Sequence, residues 1–123
     1  MHSKNKLLVV DDCQTTRTIV KDIFRNSGLT ILESTNGNDA ISMMMKQHPD
    51  LVLLDINMPE KDGLDVLEEL IEENYNTPIV IISSDVSNDT KKTCTALGVK
   101  EYIEKPLNPA KLKETVEKYL KVN

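Results

Sequence analysis

Four short apolar runs of the sequence each end in polar side chains that could bind a cation or a phosphate group. These polar residues are Asp11, Asp12, Asp55, Ser83 and Lys105. Carboxylates can hold a hard divalent cation or attack phosphorus, whereas a hydroxyl and an ammonium group can bind phosphate oxygens. These residue types therefore indicate metal-assisted phosphate chemistry, provided that the fold brings them to one place.

The elements that carry these residues are predicted to be strands of a parallel sheet. Runs rich in Leu, Ile and Val are typical of strands that are buried on both faces. The predicted strands cover residues 7–10, 30–33, 51–54, 79–82 and 101–104. Because ligands bind beyond the carboxyl ends of parallel strands, the polar residues that end the runs should meet at one edge.

Helical patterns alternate with the five predicted strands along the whole sequence. Asn36 or Asn38 could cap the second helix, and residues 87–89 could cap the fourth. Pro109 fits the first turn of a last helix, which we expect to run to residues 121–123. Strict alternation predicts an α/β, doubly wound (βα)5 fold with helices on both faces of the sheet. The flavodoxin-like strand order 2-1-3-4-5 places the first and third strands side by side.

Size and composition limit the possible classes of protein. The 123 residues suffice for one domain, and residues 1–5 are predicted to be a flexible start. A formal net charge of -5 argues against direct binding of nucleic acid. The sequence has no secretory signal and no apolar run long enough to cross a bilayer, and Cys13 and Cys94 lack metal-site spacing. A reduced, cytoplasmic protein without a membrane partner is expected.

Charge is distributed unevenly along the sequence. Residues 50–75 contain nine acidic side chains and one basic side chain, Lys61. A solvated acidic helix face explains this excess, and so does a docking surface, and both interpretations stay open.

Three neighbouring carboxylates would repel one another unless a cation compensates them. Mg²⁺ suits Asp11, Asp12 and Asp55 because it accepts a few carboxylates, keeps several waters and shares phosphate oxygens. A carboxylate beside this ion can attack phosphorus and form an acyl phosphate. Lys105 could neutralise the phosphoryl oxygens, and Ser83 could donate a hydrogen bond to them.

Several segments in order resemble the receiver domains of response regulators in two-component signalling. The segments are residues 8–12, 55–59, 62–64, Ser83 and residues 105–106. The sequence is similar in particular to the stand-alone, chemotaxis-type regulators, and the resemblance extends from about Lys6 to the end.

The resemblance implies roles for individual residues. Asp55 matches the aspartate that accepts the phosphoryl group, and Lys105 matches the lysine that pairs with it. Asp11, Asp12 and Asp55 match the carboxylates around Mg²⁺, and the backbone carbonyl of Asn57 matches a further ligand.

The resemblance also implies a switch. Ser83 matches the switch hydroxyl and Tyr102 the switch aromatic, with core packing of Tyr102 as the alternative. Phosphorylation would change the surface formed by the fourth helix, fifth strand and fifth helix. The peptide bond between Lys105 and Pro106 is expected to be cis.

The implied partners are proteins. A sensor histidine kinase or a histidine phosphotransfer protein would donate the phosphoryl group, and a downstream protein target would bind the switched surface. The protein is expected to be a monomeric, single receiver domain over residues 1–123 that catalyses only its own phosphorylation and dephosphorylation. A receiver cut from a larger regulator is the alternative.

The residues that flank the phosphorylation site suggest how long the phosphorylated state lasts. Asn57 lies two residues after Asp55, and Asp85 lies two residues after Ser83. An amide and an acid at these positions are similar to the fast-hydrolysing, chemotaxis-type pairing. A lifetime of seconds to minutes is the resulting hypothesis.

Three other functions are alternatives to a phosphorylated receiver. An aspartyl-nucleophile phosphohydrolase of the haloacid dehalogenase type needs an acid where Asn57 stands. A flavodoxin-type electron carrier needs a phosphate-binding loop where Asp11 and Asp12 stand, and aromatics to stack the flavin. A receiver-like module that never takes phosphate is the third rival.

Overall fold

The computed structural model describes residues 5–122 and contains one five-stranded parallel sheet with helices between the strands. The strands are β1 (Lys6–Val10), β2 (Thr30–Ser34), β3 (Leu51–Asp55), β4 (Ile79–Ser83) and β5 (Glu101–Glu104). The helices are α1 (Gln14–Ile23), α2 (Gly37–Gln47), α3 (Gly63–Glu72), α4 (Asn88–Ala96) and α5 (Pro109–Glu117). The strand order β2-β1-β3-β4-β5 confirms the predicted doubly wound fold.

The two faces of the sheet bury two separate apolar clusters, because successive side chains of a strand point to opposite faces. Leu8 and Val10 of β1 face a cluster that includes apolar residues of α2, α3 and α4. Leu7 and Val9 face a second cluster that includes apolar residues of α1 and α5. This division explains why the central strands read as uninterrupted apolar runs.

Local sequence signals fix where several helices begin. Asn36, not Asn38, caps α2 by accepting a hydrogen bond from the backbone N–H of Asp39. Ser87 caps α4 in the same way through the N–H of Thr90. Pro109 occupies the first turn of α5, where its missing N–H is not needed.

Two expectations about the helices are wrong. The last helix ends at Glu117, not at residues 121–123, and the chain turns after it so that Leu120 is buried against the sheet. Asn123 lies outside the described residues, as do residues 1–4 of the predicted flexible start. In the sequence, Ile71 of α3 continues the apolar helical spacing of Leu67 and Leu70, which predicts a place in the core, yet it is 50% exposed. Among the described residues, no helix has the length and apolar character needed to cross a membrane.

Candidate functional site

Three carboxylates meet at the carboxyl edge of the sheet. Asp11 directly follows β1, Asp55 is the last residue of β3, and the two strands pair in parallel. One ligand oxygen from each of Asp11, Asp12 and Asp55 lies within 4.8 Å of the others. Asp11 is fully buried and Asp55 is 4% exposed, whereas Asp12 is exposed to solvent. We call these three residues the acidic cluster.

Lys105 supplies a positive charge that pairs with two carboxylates of the acidic cluster. Its Nζ atom lies 2.7 Å from Oδ2 of Asp11 and 3.7 Å from Oδ2 of Asp55. The backbone N–H of Lys105 donates to the carbonyl oxygen of Ser83 at 2.8 Å, which extends the pairing between β4 and β5. The Lys105–Pro106 peptide bond is cis.

One ammonium group does not compensate the buried carboxylates. Burial, reinforced by the charge of Asp11, raises the pKa of Asp55 to about 6 although Lys105 opposes the shift. For Lys105, burial alone would lower the pKa, but the hydrogen bond to Asp11 and the charge of Asp55 raise it overall. The cluster therefore retains excess negative charge that a cation would stabilise.

The loop after β3 turns beside Asp55. The backbone N–H of Asn57 donates to Oδ1 of Asp55 at 3.2 Å, and the side chain of Asn57 is exposed. A Cβ atom on Gly63 would lie 2.6 Å from the carbonyl oxygen of Asp55. Only glycine therefore allows α3 to begin this close to the cluster.

Arg17 supports the acidic cluster, although the sequence analysis did not predict this role. Arg17 donates to the backbone carbonyl of Asp11 at 2.7 Å and to a carboxylate oxygen of Glu33 at 3.1 Å. Its side chain is only 12% exposed. The available signal was the position of Arg17 one helical turn before the buried Val20.

Ser83 and Tyr102 are connected through Asp85. Ser83 is fully buried at the end of β4, and its Oγ accepts a hydrogen bond from the backbone N–H of Asp85 at 3.0 Å. The hydroxyl of half-buried Tyr102 donates to the carbonyl of Asp85 at 2.6 Å. Burial raises the pKa of Tyr102.

The carboxylate of Asp85 is held by the beginning of α4. It accepts hydrogen bonds from the N–H of Ser87 and the hydroxyl of Thr90, both at 2.8 Å. These hydrogen bonds lower its pKa. That this acid influences hydrolysis of the phosphorylated state stays a prediction; in the structure, each of its oxygens accepts a hydrogen bond at the beginning of α4.

The acidic cluster fits a hard divalent cation. Its donors are carboxylate oxygens, which Mg²⁺ prefers, and two of the three carboxylates are buried. Among residues 5–122, this is the one group of at least three acidic, His or Cys side chains close enough to share a metal ion. The arrangement can therefore hold a cation beside a carboxylate that is able to attack phosphorus.

Comparisons with known proteins identify the family to which the sequence is similar. The sequence matches the response regulator receiver domain over residues 7–117. It is 32% identical to the chemotaxis protein CheY of Thermotoga maritima, over 94% of this chain and 98% of that protein. Its structure is similar to that of the CheX-CheY-BeF3-Mg²⁺ complex of Borrelia burgdorferi, with a TM-score of 0.86 and 31% identity; the match covers 93% of this chain and 87% of that one.

Some relatives are longer than this chain. It is 35% identical to the probable transcriptional regulator ycf27 of Porphyridium aerugineum over 96% of its own length. The matched segment is 49% of that regulator, so the chain spans about half of this relative.

Proposed function

This chain belongs to the family of response regulator receiver domains, and we propose that it accepts a phosphoryl group on Asp55 with Mg²⁺ bound nearby. The observation that carries the proposal is the meeting of three carboxylates within 4.8 Å beside the ammonium group of Lys105. Bound Mg²⁺ supplies positive charge that offsets the carboxylates and the phosphoryl oxygens. Asp11, Asp12, Asp55 and the backbone carbonyl of Asn57 would hold it.

The donor is a phosphohistidine of a sensor kinase or of a phosphotransfer protein. A carboxylate oxygen of Asp55 attacks the phosphorus, an acyl phosphate forms, and the bond from phosphorus to the imidazole nitrogen breaks. The donor histidine keeps the electron pair of that bond. Lys105, already 3.7 Å from Asp55, balances charge on the transferred group.

The output is a change in a protein-binding surface. Ser83 donates a hydrogen bond to the phosphoryl group. Tyr102 then changes its position, because Ser83 and Tyr102 are both hydrogen-bonded to the main chain of Asp85. The affected surface is formed by α4, β5 and α5, and a downstream protein binds it. The chain acts as one monomeric, cytoplasmic receiver unit that catalyses only its own phosphorylation and dephosphorylation.

Phosphorylation by a small donor tests this proposal. The protein is incubated with acetyl phosphate and Mg²⁺, and its intact mass is measured beside that of Asp55→Asn. We expect the mass of one phosphoryl group to be added to the wild type and not to the variant. An equal gain by the variant, or none by the wild type, would contradict the proposal. Turnover of p-nitrophenyl phosphate would instead support a phosphohydrolase.

A further inference from the structure

Asp85 binds four partners in three parts of the fold. Its backbone N–H donates to Oγ of Ser83 at 3.0 Å, and its carbonyl accepts from the hydroxyl of Tyr102 at 2.6 Å. Its carboxylate accepts from the N–H of Ser87 and from the hydroxyl of Thr90, both at 2.8 Å. We call this set the Asp85 network.

The main chain and the side chain of Asp85 form hydrogen bonds with different parts of the fold. The main-chain atoms of Asp85 contact the ends of the switch, Ser83 on β4 and Tyr102 on β5. The side chain accepts hydrogen bonds from the first turn of α4 and from the residue that caps it. A single residue thus joins the switch hydroxyl to α4, and its side chain can be changed without removing its main-chain bonds.

The first turn of α4 has a further hydrogen bond to its capping residue and an ion pair with β5. The hydroxyl of Ser87 donates to Oγ1 of Thr90 at 2.9 Å. Lys91 pairs with Glu104 of β5 at 2.5 Å, and its ammonium group lies 5.5 Å from the ring centre of Tyr102. A displacement at Thr90 would therefore reach the neighbouring turn and the edge of the sheet.

We propose that Asp85 is a positioning residue whose carboxylate couples the switch hydroxyl of Ser83 to α4. This inference rests on the proposed phosphorylation of Asp55. When Ser83 turns toward the phosphoryl group, its bond to the N–H of Asp85 shifts the Asp85 backbone. The carboxylate of the same residue then moves the first turn of α4 through Ser87 and Thr90.

Amide spectra of the ¹⁵N-labelled protein can test this coupling. Spectra are recorded for wild type, Asp85→Ala, Asp85→Asn and Asp89→Ala, with and without Mg²⁺ and beryllium fluoride, an analogue of the phosphoryl group. Asp85→Ala removes both side-chain acceptors. Asp85→Asn keeps the shape of the side chain and can form hydrogen bonds with both Ser87 and Thr90, but it removes the negative charge. Asp89→Ala removes a carboxylate from the first turn of α4, and the side chain of Asp89 has no hydrogen-bond partner among the described residues.

The amides of Asn57 and Ser83 report occupancy of the site, and the amides of residues 88–96 report the response of α4. In Asp85→Ala we expect beryllium fluoride to bind within about twofold of the wild-type affinity, while the shift changes in α4 fall at least twofold. Asp85→Asn should restore most of the α4 response, and Asp89→Ala should behave like the wild type.

A full α4 response in Asp85→Ala would overturn the inference. So would loss of beryllium fluoride binding in that variant, because the carboxylate would then act at the phosphorylation site itself. If the wild type bound no beryllium fluoride, the proposed function itself would be contradicted. The amides of Asn57 and Ser83 would then not shift, which distinguishes this outcome from a loss of coupling to α4.

Discussion

The acidic cluster and the Asp85 network lie at the same edge of the sheet, but their carboxylates are compensated differently. In the cluster, burial and the neighbouring Asp11 raise the pKa of Asp55 to about 6. In the network, hydrogen bonds from Ser87 and Thr90 lower the pKa of Asp85. The fold alone thus satisfies Asp85, whereas it leaves Asp55 in need of a cation or a proton. The acidic cluster would therefore gain from a bound cation, whereas the carboxylate of Asp85 is already compensated at the beginning of a helix.

The largest expected effect concerns the positive charge of the acidic cluster. Lys105→Met should slow phosphorylation by acetyl phosphate on the order of 100-fold, because a fixed charge beside the transferred group is lost. Stopped reactions followed by intact mass would measure the rate. Lys100→Met is the matched control, since that lysine is exposed and its side chain has no ion-pair or hydrogen-bond partner among the described residues. A rate for Lys105→Met within twofold of the control would show that the charge is dispensable.

The next effect concerns stability without metal. Asp55→Asn should raise the free energy of unfolding in EDTA at pH 7 on the order of 2 kcal/mol, because the variant does not bury a charged carboxylate. With a folded pKa of about 6, above the unfolded value, the wild type loses stability as pH rises from about 4 to about 6. The advantage of the variant should therefore be complete above pH 6 and vanish near pH 4, as urea unfolding at several pH values would show. An advantage independent of pH would rule out this electrostatic origin.

A smaller effect is expected where the Asp85 network meets the helix. Ser87→Ala removes the hydroxyl that caps α4 and should lower the free energy of unfolding by about 1 kcal/mol. Ser84→Ala is the control, because Ser84 is exposed and its hydroxyl has no hydrogen-bond partner in the described part of the chain. Equal unfolding midpoints in urea for the two variants would mean that the cap contributes nothing.

The smallest expected effect is the change in stability caused by Asp85→Asn, and its sign is opposite to that of Asp55→Asn. The lowered pKa of Asp85 means that its charged form adds stability above the unfolded pKa, and that this is lost as pH falls through the folded pKa. Asp85→Asn should therefore slightly lower the unfolding midpoint in urea at pH 7, opposite to Asp55→Asn. The difference from the wild type should disappear in acid. A rise in the midpoint at pH 7 would contradict the contrast between the regions.

The sequence predicted the sheet because the central strands are uninterrupted apolar runs, which are typical of a parallel sheet covered on both faces. Once strand order is known, the ends of β1 and β3 must lie side by side, so the meeting of Asp11 and Asp55 follows from topology. The structure also places Lys105 beside both carboxylates.

Other features could not be predicted because they depend on side-chain partners far apart in the sequence. In the sequence, Arg17 is an ordinary polar residue of a helix. Only the fold brings Glu33 and the carbonyl of Asp11 beside it. Asp85 offers two oxygens to several nearby donors, and only the local path of the chain selects Ser87 and Thr90. The early end of α5 has a similar cause, since Leu120 reaches the core from a turn.

Calorimetric titration with Mg²⁺ tests most directly whether the acidic cluster is a cation site. The wild type and Asp85→Asn should each bind one Mg²⁺ ion at a saturable site. Asp12→Asn, which alters an exposed member of the cluster, should bind the ion far more weakly. Absence of saturable binding to the wild type, or equal binding by Asp12→Asn, would contradict the assignment of this cluster.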